Sequence, residues 1–282
     1  MPLWNKAYHA NCWGVLGAEP VGVTSVKNLF YRTFGDINRA IAEIGQAGYQ
    51  AIELFDGNLV DYEGKLGELR GRLGEAGLRL LAVYSGGNFV FPEIFPEELW
   101  RMKKAVDLGA EMGAEHFIVG GGAKRTVAAS EEDYKRLAAA LDQVTDLAEQ
   151  RGLRAHYHPH LTTIVETPEQ IRKVLALSGI SFCPDTAHLA AGGGDPAKLI
   201  LEHAHRIQYV HLKDFRRDPF AFLPLGEGEL DMTAILQALV TIKYTGWIAV
   251  ELDAYGNPKA GAETSMRYLT DFEAKVPSHG KT

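Results

Sequence analysis

The chain alternates. Short apolar runs are followed by segments in which apolar residues return at three- and four-residue steps, and this happens about eight times. No other feature limits the fold so strongly. The runs read as strands are Tyr8–Trp13, Gln50–Leu54, Leu78–Tyr84, His116–Val119, Leu153–His158, Ile180–Pro184, Gln208–Leu212 and Trp247–Leu252. The segments read as helices include Asp36–Ala47, Val60–Ala76, Glu97–Met112 and Glu131–Gln150. Helix starts are marked: Ser130 precedes Glu131-Glu132-Asp133 like a capping box, Thr167-Pro168-Glu169-Gln170 offers a cap, a first-turn proline and a reciprocal glutamine, and Asp195-Pro196 repeats the offer. Gly48, Gly77, Gly113 and Gly152 stand just before the next strand, where left-handed helix terminators belong.

Eight strand–helix units in 282 residues, with no Pro/Gly/Ser-rich linker between halves, predict an α/β chain folded as a single (β/α)8 TIM barrel over residues 1–282. A doubly wound open sheet is the alternative, but no G-x-G-x-x-G follows Trp13. Composition narrows the partners. Lys and Arg number 29 against 36 Asp and Glu, a net charge of −7, which weighs against a nucleic-acid partner because phosphate backbones need a basic stripe. Only Cys12 and Cys183 occur, so a disulfide framework is excluded and a reducing cytoplasm is expected. No run approaches the roughly 18 to 20 apolar residues of a membrane span. Met1–Lys6 lacks the basic-then-apolar pattern of a secretory signal. A homo-oligomer is compatible with the sequence.

In such barrels chemistry sits at the C-terminal ends of strands. The fifth predicted strand ends in His156-Tyr157-His158-Pro159-His160, the sixth in Cys183-Pro184-Asp185, the seventh in His211-Leu212-Lys213-Asp214, and the eighth carries Glu251-Leu252-Asp253. One histidine at a strand end is ordinarily a hydrogen-bonded scaffold residue. Four ligand types on consecutive strands reverse that reading: His158, Asp185, His211 and Glu251 are expected to form a mixed N/O shell for Mn2+, Co2+, Zn2+ or Fe2+, with Mg2+ a poorer fit. Strand register is the weak point, because His156, His158 and His160 share one face.

The runs HYHPHLTTIVETPEQI (156–171), PDTAHLAAGGGDP (184–196), HRIQYVHLKDFR (205–216), LGEGELD (225–231) and YTGWIAVELD (244–253) resemble the xylose isomerase-like barrel superfamily, and within it the inosose dehydratase and sugar isomerase/epimerase branch. The resemblance covers most of the chain and is strongest after Leu153. It implies a divalent metal held at the ends of strands five to eight, positions onto which His158, Asp185, His211 and Glu251 fall. It also implies that His188 contacts substrate hydroxyls or the metal's surroundings, and that Glu251 serves as both ligand and base. Epimerases of the superfamily usually carry a glutamate on strand five, where this chain has His158. Paired glutamates on opposite faces of a substrate are then not available, which tilts the expectation towards a dehydratase or lyase acting on a polyol, keto-sugar, inosose or 3-keto-glycoside.

For that chemistry the expected base is Glu251 or His188 and the expected acid is His160 or His156. An isomerase or epimerase on the same scaffold, or a non-catalytic sugar-binding subunit, are the competing readings. Glu53 at the end of the second strand is expected either to meet substrate or to pair with a neighbouring cation. Lys213 is the best placed cation for substrate contact. Trp13 and Tyr84, with His9, suit a pocket wall, although aromatics at such positions are more often packing. Gly120-Gly121-Gly122-Ala123-Lys124-Arg125 lacks phosphate-loop spacing and reads as a flexible loop near the site.

Overall fold

A computed structural model describes residues 2–13, 25–27, 30–33, 35–126 and 128–276. Eight apolar runs become strands β1 Lys6–His9, β2 Ala51–Phe55, β3 Arg79–Gly87, β4 His116–Gly121, β5 Arg154–Tyr157, β6 Ser181–Phe182, β7 Tyr209–Leu212 and β8 Trp247–Val250. They pair in parallel in the order β6-β5-β4-β3-β2-β1-β8-β7. The two edges then meet through parallel bridges Phe182↔Ile207 and Asp185↔His211. The sheet is thereby closed, and the architecture is a (β/α)8 TIM barrel.

Local chemistry explains the boundaries. Asp36 caps the helix Ile37–Gln46 by accepting from Asn38 N and Arg39 N at 2.9 and 3.2 Å. Reciprocal capping boxes form at Ser130/Asp133 and Thr167/Gln170, and Asp195 accepts from Lys198 N. Gly113 ends the helix Phe95–Met112 in the left-handed conformation, φ 80°. The outer core is built from the inward stripes of the helices. In Glu131–Glu149, Tyr134, Leu137, Leu141, Val144 and Ala148 are all buried against the sheet. Each large apolar side chain so buried contributes about 1.5–3 kcal/mol.

Three expectations are corrected. The first strand stops at His9, its last residue paired to β2 and one past its last pair with β8, and Ala10–Trp13 curls into a 3-10 turn. The side chain of Trp13, expected in the pocket wall, lies outside the described residues. The helix expected over Val60–Ala76 divides into Asp56–Val60 and Leu66–Glu75, with Gly64 at φ 76° between them. Gly120 and Gly121 belong to β4 rather than to a loop. Two antiparallel pairs, Ser25–Lys27 with Phe30–Arg32 and Asp214–Arg216 with Ala221–Leu223, carry three residues per strand, too few to register as periodicity. Among the described residues no helix is long and apolar enough to cross a membrane.

Strand alternation decides what fills the barrel. Barrel interiors are ordinarily packed with branched aliphatic side chains. Here His9, Glu53, His116, His156, His158 and His211 are buried around the axis. Such a concentration of titratable groups costs stability unless each is paired.

Candidate metal centre

Four side chains converge at the C-terminal mouth. His158, Asp185, His211 and Glu251 each present one ligand atom, and these atoms lie within 4.8 Å of one another, all buried. The barrel ladder holds each backbone. His158 N donates to Val119 O at 2.8 Å, His211 N to Pro184 O at 3.0 Å, and Glu251 N to Leu212 O at 3.0 Å. Asp185 pairs with His211 in the bridge that closes the sheet and also caps the helix Thr186–Ala191, accepting from His188 N at 2.8 Å.

The side chains face one point. His158 Nε2 stands 3.4 Å from Asp185 Oδ2 and 3.7 Å from Glu251 Oε2, while His211 Nδ1 is 2.7 Å from Glu251 Oε2. His158 Nε2 and Asp185 Oδ2 are buried and make no hydrogen bond of normal geometry among the described residues. Two imidazoles and two carboxylates whose polar atoms are left aimed at each other fit a borderline divalent cation.

Burial opposes charge throughout the cluster, and the neighbours decide the outcome. Glu251 is held well below the usual carboxylate range because Lys213 and His211 outweigh its burial, and Lys213 and His188 do the same for Asp185. Burial would lower His211, but Glu53 and Glu251 on either side push it up to about 10. For His160 and His188 the neighbouring carboxylates do not compensate: burial first, then the charge of His158 on His160 and of His160 on His188, with Lys213 acting on both, lowers them, His160 to about 4. Their rings are 3.8 Å apart, and His160 Nδ1 lies 2.7 Å from Leu161 O, which favours the tautomer with the proton on Nδ1.

Lys213 is fully buried. Its Nζ lies 2.8 Å from Asp253, 3.2 Å from Asp185, 3.4 Å from Glu251 and 3.4 Å from His188 Nε2. Phe222, on the short hairpin after β7, covers the ammonium at 4.7 Å. Tyr84 stands in the wall, its ring 5.6 Å from His158 and 5.9 Å from His9.

Two residues sit elsewhere than a substrate contact requires. Glu53 lies beneath the quartet, fully buried, accepting from Tyr209 Oη at 2.8 Å and facing His211 Nε2 at 3.0 Å. It orients the imidazole from below, as the carboxylate partner of a ligating histidine does. His156 does not join His160 at the mouth. Two residues earlier on β5 places it lower in the barrel, where its Nε2 meets His116 Nδ1 at 2.9 Å beside the Tyr209 ring.

That lower pair predicts an acid sensitivity. Burial lowers His116 to about 4 and His156 further, so both are neutral when folded and charge when unfolded. A depressed histidine contributes stability that is present above the ordinary value near 6.5 and lost as pH falls towards 4. Unfolding free energy from urea titration is expected to drop by about 2 kcal/mol per histidine between pH 7 and 5. His116→Gln is expected to remove one share of that slope, and an unchanged slope contradicts the assignment.

Residues 41–272 match the family described as xylose isomerase-like TIM barrel. An inosose dehydratase of Geobacillus kaustophilus (strain HTA426) is 27% identical over 268 residues, covering 82% of this chain and 86% of that one. The solved structure of an L-ribulose 3-epimerase superposes with a TM-score of 0.76 at 19% identity, covering 100% of both chains. The structure of the IOLI protein with a zinc atom gives 0.74 at 18% identity over 97% of this chain and 99% of that one. At these identities the two structures establish the shared fold.

Proposed function

Because the chain belongs to the xylose isomerase-like TIM barrel family, we propose that it is a divalent-metal-dependent enzyme that removes the proton next to the carbonyl of a keto-sugar, inosose or 3-keto-glycoside and then expels water. The observation that carries this reading is the buried convergence of His158, Asp185, His211 and Glu251 beside the closely packed, tilted His160–His188 pair. Mn2+, Co2+, Zn2+ and Fe2+ suit the donor set, Mg2+ less so, and zinc is the ion in the IOLI structure. Held by these four residues, a cation would supply Lewis-acid polarisation of the substrate carbonyl and would offset the negative charge that grows as the carbon loses its proton.

The remaining work falls to the protein. Glu251 accepts the proton, with His188 the alternative acceptor. The C–H electron pair moves into the carbon–carbon bond as the bond to the neighbouring hydroxyl breaks. Glu251 passes that proton through the adjacent His160 and His188 imidazoles to the departing oxygen, so the proton taken from carbon leaves in the water. Lys213 holds its charge against Asp185, Asp253 and Glu251 and donates to a substrate oxygen. Tyr84 closes one side and limits water.

Isomerisation or epimerisation of a sugar on the same scaffold is the alternative, in keeping with the L-ribulose 3-epimerase fold. It needs the proton returned to carbon, and imidazole can do this near neutral pH. Incubating metal-loaded protein with inososes, ketohexoses and 3-keto-glucosides in D2O separates the two. Loss of water with an enone-type absorbance is the expected result by NMR and ultraviolet spectroscopy. Deuterium exchange with epimer formation and no water loss overturns the elimination. No turnover, no bound metal on elemental analysis and no metal-dependent melting shift together favour a non-catalytic sugar-binding subunit.

A further inference from the structure

Next to the metal centre, at the C-terminal ends of β3 and β4, lies a cavity of about 500 Å3, inside the range of about 300–1,000 Å3 usual for small-molecule sites. Tyr31, Asn88, Gly121, Lys124, Thr162 and Thr163 are among its walls. Two of those walls are connected to the metal centre. The loop that leaves His158 and His160 continues into Thr162 and Thr163, and the Tyr31 ring stands 5.8 Å from Tyr84, which itself packs on His158. The glycine run that ends β4, which the metal chemistry does not use, gives the cavity its peptide surface. A Cβ on Gly121 would stand 2.0 Å from Gly87 O, and Gly121 has φ 116°, so no side chain screens those backbone groups.

The cavity is built rather than incidental. Buried Arg101 bonds Asp56, Ser85 Oγ at 2.9 Å and Gly86 O, which fixes the end of β3. Glu98 accepts from Asn88 N, Asn88 Nδ2 and Phe89 N at 2.7, 2.9 and 3.1 Å, which fixes the following loop. Among the described residues three non-glycines have left-handed backbone. One of them, Thr162, lines the cavity at φ 70° with its N–H on Glu166, and a second, Phe89, directly follows the lining residue Asn88 at φ 62° and is clamped by Glu98. Side chains resist that conformation, and it persists where surrounding contacts over-determine it, commonly at ligand sites.

The charges of the lining select the ligand. Arg101 is spent on Asp56, Lys124 pairs with Glu166 at 2.9 Å, and Glu97 adds a carboxylate. A phosphate or carboxylate would find no free counter-charge among the described lining residues. What remains is an aromatic face, hydroxyls, an amide and peptide groups, the chemistry that holds a neutral ring. We propose that this cavity is the subsite for the neutral second ring of a keto-glycoside whose keto ring lies over His158, Asp185, His211 and Glu251. The inference rests on the function proposed above and narrows its substrate class to glycosides over free keto-sugars and sugar phosphates.

The test compares 3-keto-D-glucose with its phenyl and glucosyl β-glycosides on metal-loaded full-length protein. Either glycoside is expected to show kcat/KM at least ten-fold above the free keto-sugar. Ala123→Phe, which fills the cavity, is expected to bring that ratio close to one. Equal values in the wild type, or a ratio the substitution leaves untouched, overturn the subsite. Ala123→Leu gives the same comparison with a smaller group should the phenylalanine variant not fold. If no keto-sugar is turned over, the function reading fails by itself, and the subsite is judged on phenyl β-D-glucoside. Saturation transfer to its phenyl protons that disappears in Ala123→Phe supports the subsite; absent or unchanged transfer overturns it.

Discussion

Replacing Glu251 by Gln is expected to lower kcat by about 10^3-fold or more while leaving the barrel folded. The side chain keeps its volume, and its backbone N–H to Leu212 O remains. What is lost is the carboxylate, which lies 2.7 Å from His211, 3.7 Å from His158 and 3.4 Å from Lys213. An amide cannot accept the proton and donates where a cation should bind, so both the base and one donor of the quartet disappear in a single change. Turnover with a responsive keto-sugar, circular dichroism and metal content measured on the same preparation separate the parts. Native dichroism with lost turnover and weakened metal retention is the expected pattern. Turnover within ten-fold of wild type removes Glu251 from the reaction.

The strand–helix alternation was legible because each unit carries its own periodicity and caps within about 30 residues, and Asp36, Ser130, Thr167 and Asp195 act locally. The quartet was legible for a related reason: a barrel delivers the ends of consecutive strands to one mouth, so His158, Asp185, His211 and Glu251 needed only correct strand ends to meet. Depth was not legible. His156 and His158 have the same facing, and only the stagger of the strands puts one at the mouth and the other beside His116. Glu53 reads like a mouth residue for the same reason, while its partners Tyr209 and His211 are 156 and 158 residues away. The Arg101–Asp56–Ser85 brace is equally silent in sequence, since Arg101 lies on a helix face where a charge is ordinarily solvated. A buried arginine there has no signature until the chain closes.

Lys213 joins these two levels. Asp185, Glu251 and Asp253 are buried with it, and each loses its hydration. Burial, joined by the charges of Glu251 and Asp185, pushes Asp253 up to about 6 even with the ammonium 2.8 Å away. Lys213→Met keeps the length of the side chain under Phe222 but deletes the positive charge. Metal-free Lys213→Met is therefore expected to lose about 3–5 kcal/mol in urea unfolding, the usual cost of leaving buried charges without a partner. Adding a divalent ion is expected to restore part of the loss, because a cation among His158, Asp185, His211 and Glu251 replaces charge that the lysine supplied. Binding the folded state at a hundred times Kd adds about 2.7 kcal/mol. The melting shift on metal addition should thus be larger in the variant than in wild type, whereas kcat stays low because no ammonium meets the substrate. A variant as stable as wild type without metal shows that the three carboxylates are already neutralised by protons. A metal shift no larger than that of wild type shows that lysine and ion do not share the same charge.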